Sequence, residues 1–140
     1  MSVYKPKARR DAFLILYQWD MKGEDINQLT EEYMQANRIS YSEHRRYVRK
    51  LVKTFFENRV EIDKLIGELS EKWDIDRISY IDRNILRVAL AELLYIKPKN
   101  SKLVVYDYVK LSQKYAGKNS VKFVNGLLGR VVREKLGLKD

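Results

Sequence analysis

The chain has 140 residues, 45% of them hydrophobic, and its 28 basic against 19 acidic residues leave a net charge of +9. That length supports one domain with its own core, and the absence of cysteine excludes a disulfide framework and thiolate zinc sites. No run of about 18 apolar residues argues for a membrane span, the basic N-terminus lacks the apolar stretch of a secretory signal, and the composition leads us to expect a cytoplasmic protein.

The first element opens on a basic cluster, Lys5-Pro6-Lys7-Ala8-Arg9-Arg10. It runs straight into a helix in which Ala12, Phe13, Leu16 and Trp19 recur at i, i+3/i+4. Gly23 stands at a plausible C′ position to end it. Ile26, Leu29, Tyr33 and Met34 predict a short second helix. Ser40-Tyr41-Ser42-Glu43 has the Ser-x-x-Glu form of a capping box. It opens a long apolar pattern through Val48, Val52 and Phe55 to Ile62, Ile66 and Leu69. The spacing slips at Glu57–Arg59, so a bend or break is expected there.

Ser79-Tyr80-Ile81-Asp82 repeats the capping form and opens a broadly apolar helix, Ile85 to Leu94, which should be central. Pro98 stops it. The segment from Leu103 to Tyr115 contains Val-Val-Tyr-Asp-Tyr-Val, which favours strand. The spacing of Val104, Tyr108, Leu111 and Tyr115 favours helix instead. Gly117 closes it, and a last helix runs from about Asn119 to Lys135, with Val121, Val124, Leu127, Leu128 and Val131 facing inward. The sum is an all-α domain over residues 1–140. It has six to seven helices in two packed three-helix sub-bundles, about 1–76 and 77–140.

The charge is segregated. Arg45, Arg46, Arg49, Lys50 and Lys53 form one acid-free run, and residues 97–122 carry seven lysines against Asp107 alone. Such segregation suits a polyanionic partner. Residues for bond-making chemistry are scarce. His44 is the one histidine and reads as a plain surface residue. Asp74 and Asp76 read as dipole partners of a helix start, rather than as a metal cluster with Asp82. No dinucleotide, phosphate-loop or nucleophile-elbow motif is present. No enzyme activity, metal or cofactor is expected.

Lys118-Asn119-Ser120-Val121-Lys122-Phe123-Val124-Asn125-Gly126 is the richest segment. Lys118 and Lys122 share a helix face, and Asn119 and Ser120 lie where free backbone N–H groups meet an anion. Phe123 has two readings: an aromatic that stacks an unpaired base, or core beside Val124. Gly126 and Gly129 sit mid-helix, at about 1 kcal/mol each relative to alanine. Close approach of another helix is the expected reason. The basic N-terminus also has two readings, a solubilising tail or cations held in fixed directions by the helix that follows.

Three segments together resemble the NusB family of bacterial transcription antitermination factors. They are Ala8-Arg9-Arg10-Asp11-Ala12-Phe13-Leu14-Ile15-Leu16-Tyr17-Gln18-Trp19-Asp20, Ile81-Asp82-Arg83-Asn84-Ile85-Leu86-Arg87-Val88-Ala89-Leu90-Ala91-Glu92-Leu93, and Lys122-Phe123-Val124-Asn125-Gly126-Leu127-Leu128. The resemblance spans essentially the whole chain in the right order. It implies binding of the single-stranded boxA element of nascent ribosomal RNA, together with NusE, a small-subunit ribosomal protein, on an elongating RNA polymerase. Carried over, it places Lys5, Lys7, Arg9, Arg10, Tyr17, Lys118, Asn119, Ser120, Lys122 and Phe123 at RNA. It places Tyr80, Asp82 and Arg83 on the NusE-facing surface. Members can self-associate, and the apolar content permits a homodimer.

Two departures stand out. Lysines replace arginines in part of the opening cluster, and lysine lacks the bidentate fork. A cation and an amide, Lys118 and Asn119, stand where the family often has acids, which should strengthen RNA contact. The alternative readings are a stand-alone docking domain related to the N-terminal part of RNA cytosine methyltransferases, and a helical adaptor whose basic faces are only solvated surface. The first would need a separate partner domain, since no segment for binding S-adenosylmethionine follows.

Overall fold

The computed structural model describes residues 4–138 and contains seven α-helices, with no strand among the described residues. They are α1 (Lys5–Lys22), α2 (Ile26–Ala36), α3 (Ser42–Glu57), α4 (Arg59–Ser70), α5 (Tyr80–Leu90), α6 (Ser101–Tyr115) and α7 (Lys118–Arg130). Pro6 sits in the first turn of α1, where its missing N–H costs nothing, and Gly23 ends that helix at φ 70°. The expected break falls at Asn58, between α3 and α4. The ambiguous Leu103–Tyr115 stretch is helical: Val104, Tyr108 and Leu111 fall on one buried stripe, and that packing overrides their strand propensity.

One capping expectation holds and one does not. The Ser79 hydroxyl accepts from the Asp82 backbone N–H at 3.1 Å and starts α5. Ser40 caps nothing. Helix α3 begins at Ser42 with Tyr41 at its N-cap position and no side-chain cap bond. The matching pattern at Ser40 lies a residue too early for the register that buries Val48, Leu51 and Phe55.

Helix α5 is central. Every residue from Arg83 to Leu93 is buried, and the helix packs against α1, α3, α4, α6 and α7. Its last stretch, Ala91–Ile96, widens into a π turn and stops at Lys97, φ 59°, just before Pro98. Helix α7 likewise ends in a π turn, Val131–Lys135. A 3-10 turn, Ile75–Arg77, lies at the sub-bundle boundary expected near residue 77. The core does not stop there. Phe13, Leu51, Phe55, Ile66, Leu86, Tyr108 and Leu128 belong to one cluster. Gly67 allows the end of α4 to meet the Trp73 backbone, where a Cβ would lie 3.1 Å from the carbonyl oxygen.

Three polar networks tie α1 into this core. Arg9 binds Glu92 of the π turn through Nε at 2.9 Å and Nη2 at 2.7 Å, and its Nη1 reaches Asp107 at 2.5 Å. Burial by itself would lower the Arg9 pKa, but the hydrogen bond and charge of Glu92 reverse that and raise it above the ordinary value. Asp11 receives the Tyr33 hydroxyl at 2.7 Å and faces His44 Nε2 at 2.7 Å. His44 is thus not the surface residue its sequence context suggests. It is 9% exposed because α3 turns it inward onto the Asp11 carboxylate. No buried side-chain polar atom among the described residues lacks a partner.

The third network centres on Asp20, which accepts from Arg83 Nε at 2.6 Å, Asn84 Nδ2 at 2.8 Å and Arg87 Nη1 at 3.1 Å. Arg87 continues to Asp63 of α4 at 2.9 Å. Burial pushes the Asp20 pKa up, but the bonds from Arg83 and Asn84 and the charge of Arg87 win and hold it below the ordinary carboxylate value. A lowered carboxylate pKa stabilises the fold fully above the unfolded value and loses that contribution as pH falls through the folded value. Acid unfolding monitored by circular dichroism should therefore lose this share of stability below about pH 3.8. Asp20→Asn should be less stable at neutral pH and show a shallower acid limb. Parallel limbs would remove Asp20 from the account.

Candidate nucleic-acid interface

The N-terminal turns of α1 and the C-terminal half of α6 face each other across a groove of about 390 Å³. Lys7 and Arg10 line the α1 side, Lys110, Gln113 and Lys114 the α6 side together with Asp107, which Arg9 already engages, and Tyr4 and Pro6 complete the lining. Lys7, Lys110 and Lys114 pair with no carboxylate among the described residues. Arg10 keeps partial exposure while its Nη2 reaches Asp11 at 3.1 Å. The N-terminal cations are thus held by a helix, as the second of the two readings required. Lys110 and Lys114 were not singled out from sequence; their i, i+4 spacing in a helix that ends on Tyr115 was the available signal.

An aromatic row leads from this groove towards the start of α5. The Tyr115 ring meets Phe13 edge-on at 5.3 Å. Phe13 meets Tyr17 at 6.3 Å, and Tyr17 meets Tyr80 edge-on at 6.4 Å. Tyr17 is half-buried, with its body packed on the core, while Tyr80 is 44% exposed. Just after Tyr115, Gly117 at φ 114° turns the chain into α7. There Lys118, Asn119 and Lys122 are exposed, and Phe123 is partly buried against the core with part of its ring open. Phe123 is thus core on one side only.

Three of the expected contact residues are committed elsewhere. Arg9 is 4% exposed and spends its guanidinium on Glu92 and Asp107, so it holds α1 in place rather than facing solvent. Ser120 is 8% exposed, and its hydroxyl donates to Asp82. Arg83 is 6% exposed and bound to Asp20, although its guanidinium also lies 4.2 Å from the centre of the Tyr80 ring. The sequence pattern missed these because each partner is remote along the chain; Glu92 is 83 residues from Arg9. The Ser120–Asp82 bond has a geometric consequence. It joins the first turn of α7, at the basic end, to the first turn of α5, where the expected partner surface begins.

The mid-helix glycines are also a correction. No helix packs on Gly126: a Cβ there would meet nothing within 4 Å. At Gly129 a Cβ would meet only the flexible end of Arg133, at 3.2 Å. Both glycines lie on the outer side of α7, away from the stripe of Val124, Leu127 and Leu128.

What the site can do follows from its parts. It offers spaced cations for phosphates, a helix N-terminus with exposed amide and ammonium groups, and half-open aromatics for bases. No group of three or more His, Asp or Glu side chains among the described residues is arranged to hold a metal. No described helix is long and apolar enough to cross a membrane.

Known proteins share both the sequence and the shape. The transcription antitermination protein NusB of Aquifex aeolicus (strain VF5) is 39% identical over 130 residues, covering 93% of this chain and 88% of the relative. A chain in a crystal structure of a plectonemic RNA supercoil superposes with a TM-score of 0.92 at 38% identity, covering 97% of this chain and 99% of that one. A chain from a crystal structure of antitermination factors NusB and NusE in complex with dsRNA gives a TM-score of 0.84 at 40% identity, over 89% and 92% of the two chains. The profile of the NusB family matches residues 6–133, from the proline of the basic opening to the last turn of the final helix, and the chain belongs to that family.

Proposed function

We propose that this protein is a transcription antitermination factor. It binds the boxA element of nascent ribosomal RNA together with NusE and travels with the elongating RNA polymerase. The observation that carries the reading is the groove in which Lys7, Lys110 and Lys114, with no carboxylate partner, flank Arg10, continued by the aromatic row to Tyr17 and Tyr80. The phosphates of a single strand lie along the lysines, with Lys5, Lys118, Asn119 and Lys122 extending the path. Tyr17 and the open side of Phe123 supply stacking surface, for about 1–3 kcal/mol per base. Tyr80 and Asp82 form the start of the surface for NusE. Arg9, Ser120 and Arg83 support the two surfaces from behind.

The work is binding and positioning, without catalysis. The test is fluorescence anisotropy on a boxA RNA, its scrambled form, its DNA counterpart and an RNA duplex, each with and without NusE. The single-stranded boxA RNA should bind most tightly, and NusE should increase that preference. Lys118→Glu should weaken RNA binding and leave the fold intact by circular dichroism. Equal affinity for boxA and scrambled RNA, with and without NusE, would overturn the assignment.

A further inference from the structure

A concavity of about 760 Å³ adjoins the groove described above and shares Tyr4, Pro6 and Asp107 with it. It sits on the other flank of the α1 N-terminus, between α3 and the loop that joins α5 to α6. Lys5, Lys50, Lys97 and Lys99 converge on it from three separate parts of the fold. None of the four pairs with a carboxylate among the described residues. Lys5 is oriented by the Tyr47 ring, 5.2 Å from its Nζ. The one acid in the lining, Asp107, already accepts from Arg9 at 2.5 Å. The cleft therefore presents an excess of positive charge with no counter-charge of its own.

We infer that this cleft is a second phosphate-binding site, which takes the RNA backbone where the strand continues beyond the groove on the α6 side. Continuity decides for RNA over an acidic protein segment. Tyr4 lines the groove and this cleft alike, so a strand leaving Lys7 crosses Tyr4 and Pro6 and enters directly among the four lysines. The lysines share one concavity. Nothing in the lining reads base edges in a fixed register, so the site adds affinity and length dependence without sequence preference. The inference rests on RNA as the ligand of the neighbouring groove, and it assigns to that RNA a second anchor.

The experiment compares a short boxA RNA with the same RNA extended first at one end and then at the other, along with polyuridine, by anisotropy over a salt series. The variant is Lys97→Ala with Lys99→Ala, both exposed loop residues outside the groove. Extension at one end should tighten binding by the wild-type protein. Removing two phosphate contacts should make the log–log salt slope for the extended RNA shallower by about 1.4 and leave the short RNA unaffected. Polyuridine should show the same sensitivity. No gain on extension at either end, or an equal loss on the short RNA, would overturn the inference. So would a variant that keeps all RNA binding but loses an acidic protein partner. A lost preference for boxA with the extension effect intact would instead count against the proposed function alone.

Discussion

Glu92→Ala should destabilise the fold by about 3–5 kcal/mol, the usual cost of removing one partner from a buried ion pair. Glu92 is fully buried and accepts from Arg9, from the Tyr47 hydroxyl at 2.7 Å and from the Tyr108 hydroxyl at 2.7 Å. Burial and the Glu92 charge push both tyrosine pKa values up, so both remain neutral donors. Truncation strands a buried guanidinium with Asp107 alone and leaves the buried Tyr108 hydroxyl and the partly buried Tyr47 hydroxyl without their acceptor. Glu92→Gln keeps an acceptor of the same length and should cost less. Urea unfolding followed by circular dichroism measures both. A loss under about 1 kcal/mol for the alanine variant would show that water or relaxation replaces the carboxylate. The effect should spread to function as well, because Arg9 fixes the turn from which Lys7 and Arg10 reach the groove. RNA binding by Glu92→Ala should weaken even where the protein remains folded.

The residues of this network show where sequence reading succeeds and where it stops. Helix positions were legible because burial repeats every three to four residues: Ala12, Phe13 and Leu16 of α1 or Val124, Leu127 and Leu128 of α7 announce their faces locally. Even the strand-prone Val104–Tyr108 stretch declared itself through spacing. The fate of polar groups was not legible in the same way. Arg9 and Arg10 are neighbours in sequence with the same chemistry, yet one is buried and the other half-exposed. What separates them is a rotation of about 100° around the helix and a carboxylate on a distant element. His44 sits between acid and base in the sequence and looks solvated, but the Asp11 carboxylate gives it a partner and a reason to be inside.

The family motifs name segments of α1, α5 and α7 without telling which of their side chains are free. The resemblance puts Ser120 at RNA and Asp82 on the NusE-facing surface. In the folded chain they satisfy one another. Conversely, Lys110 and Lys114 carry no motif and stand in the groove. Motifs report which segments matter; which face of a segment meets solvent depends on how helices pack, and that is decided by residues elsewhere.

Those two lysines support the second large effect. Combining Lys7→Ala, Lys110→Ala and Lys114→Ala should reduce the salt slope for single-stranded RNA by about 2, at about 0.7 for each phosphate no longer neutralised. The three side chains are exposed and pair with no carboxylate among the described residues, so their removal leaves no buried charge and should cost the fold little. The control is Lys53→Ala with Lys64→Ala, on α3 and α4, outside the groove lining. If only total charge mattered, the control would flatten the curve in proportion to its two lost cations. If the groove holds the strand, the control should leave the slope unchanged and the triple variant should reduce it by about 2 at boxA and scrambled RNA alike. Any remaining preference for boxA would then come from stacking on Tyr17 and Phe123, which lie past the groove and contribute little to the salt dependence.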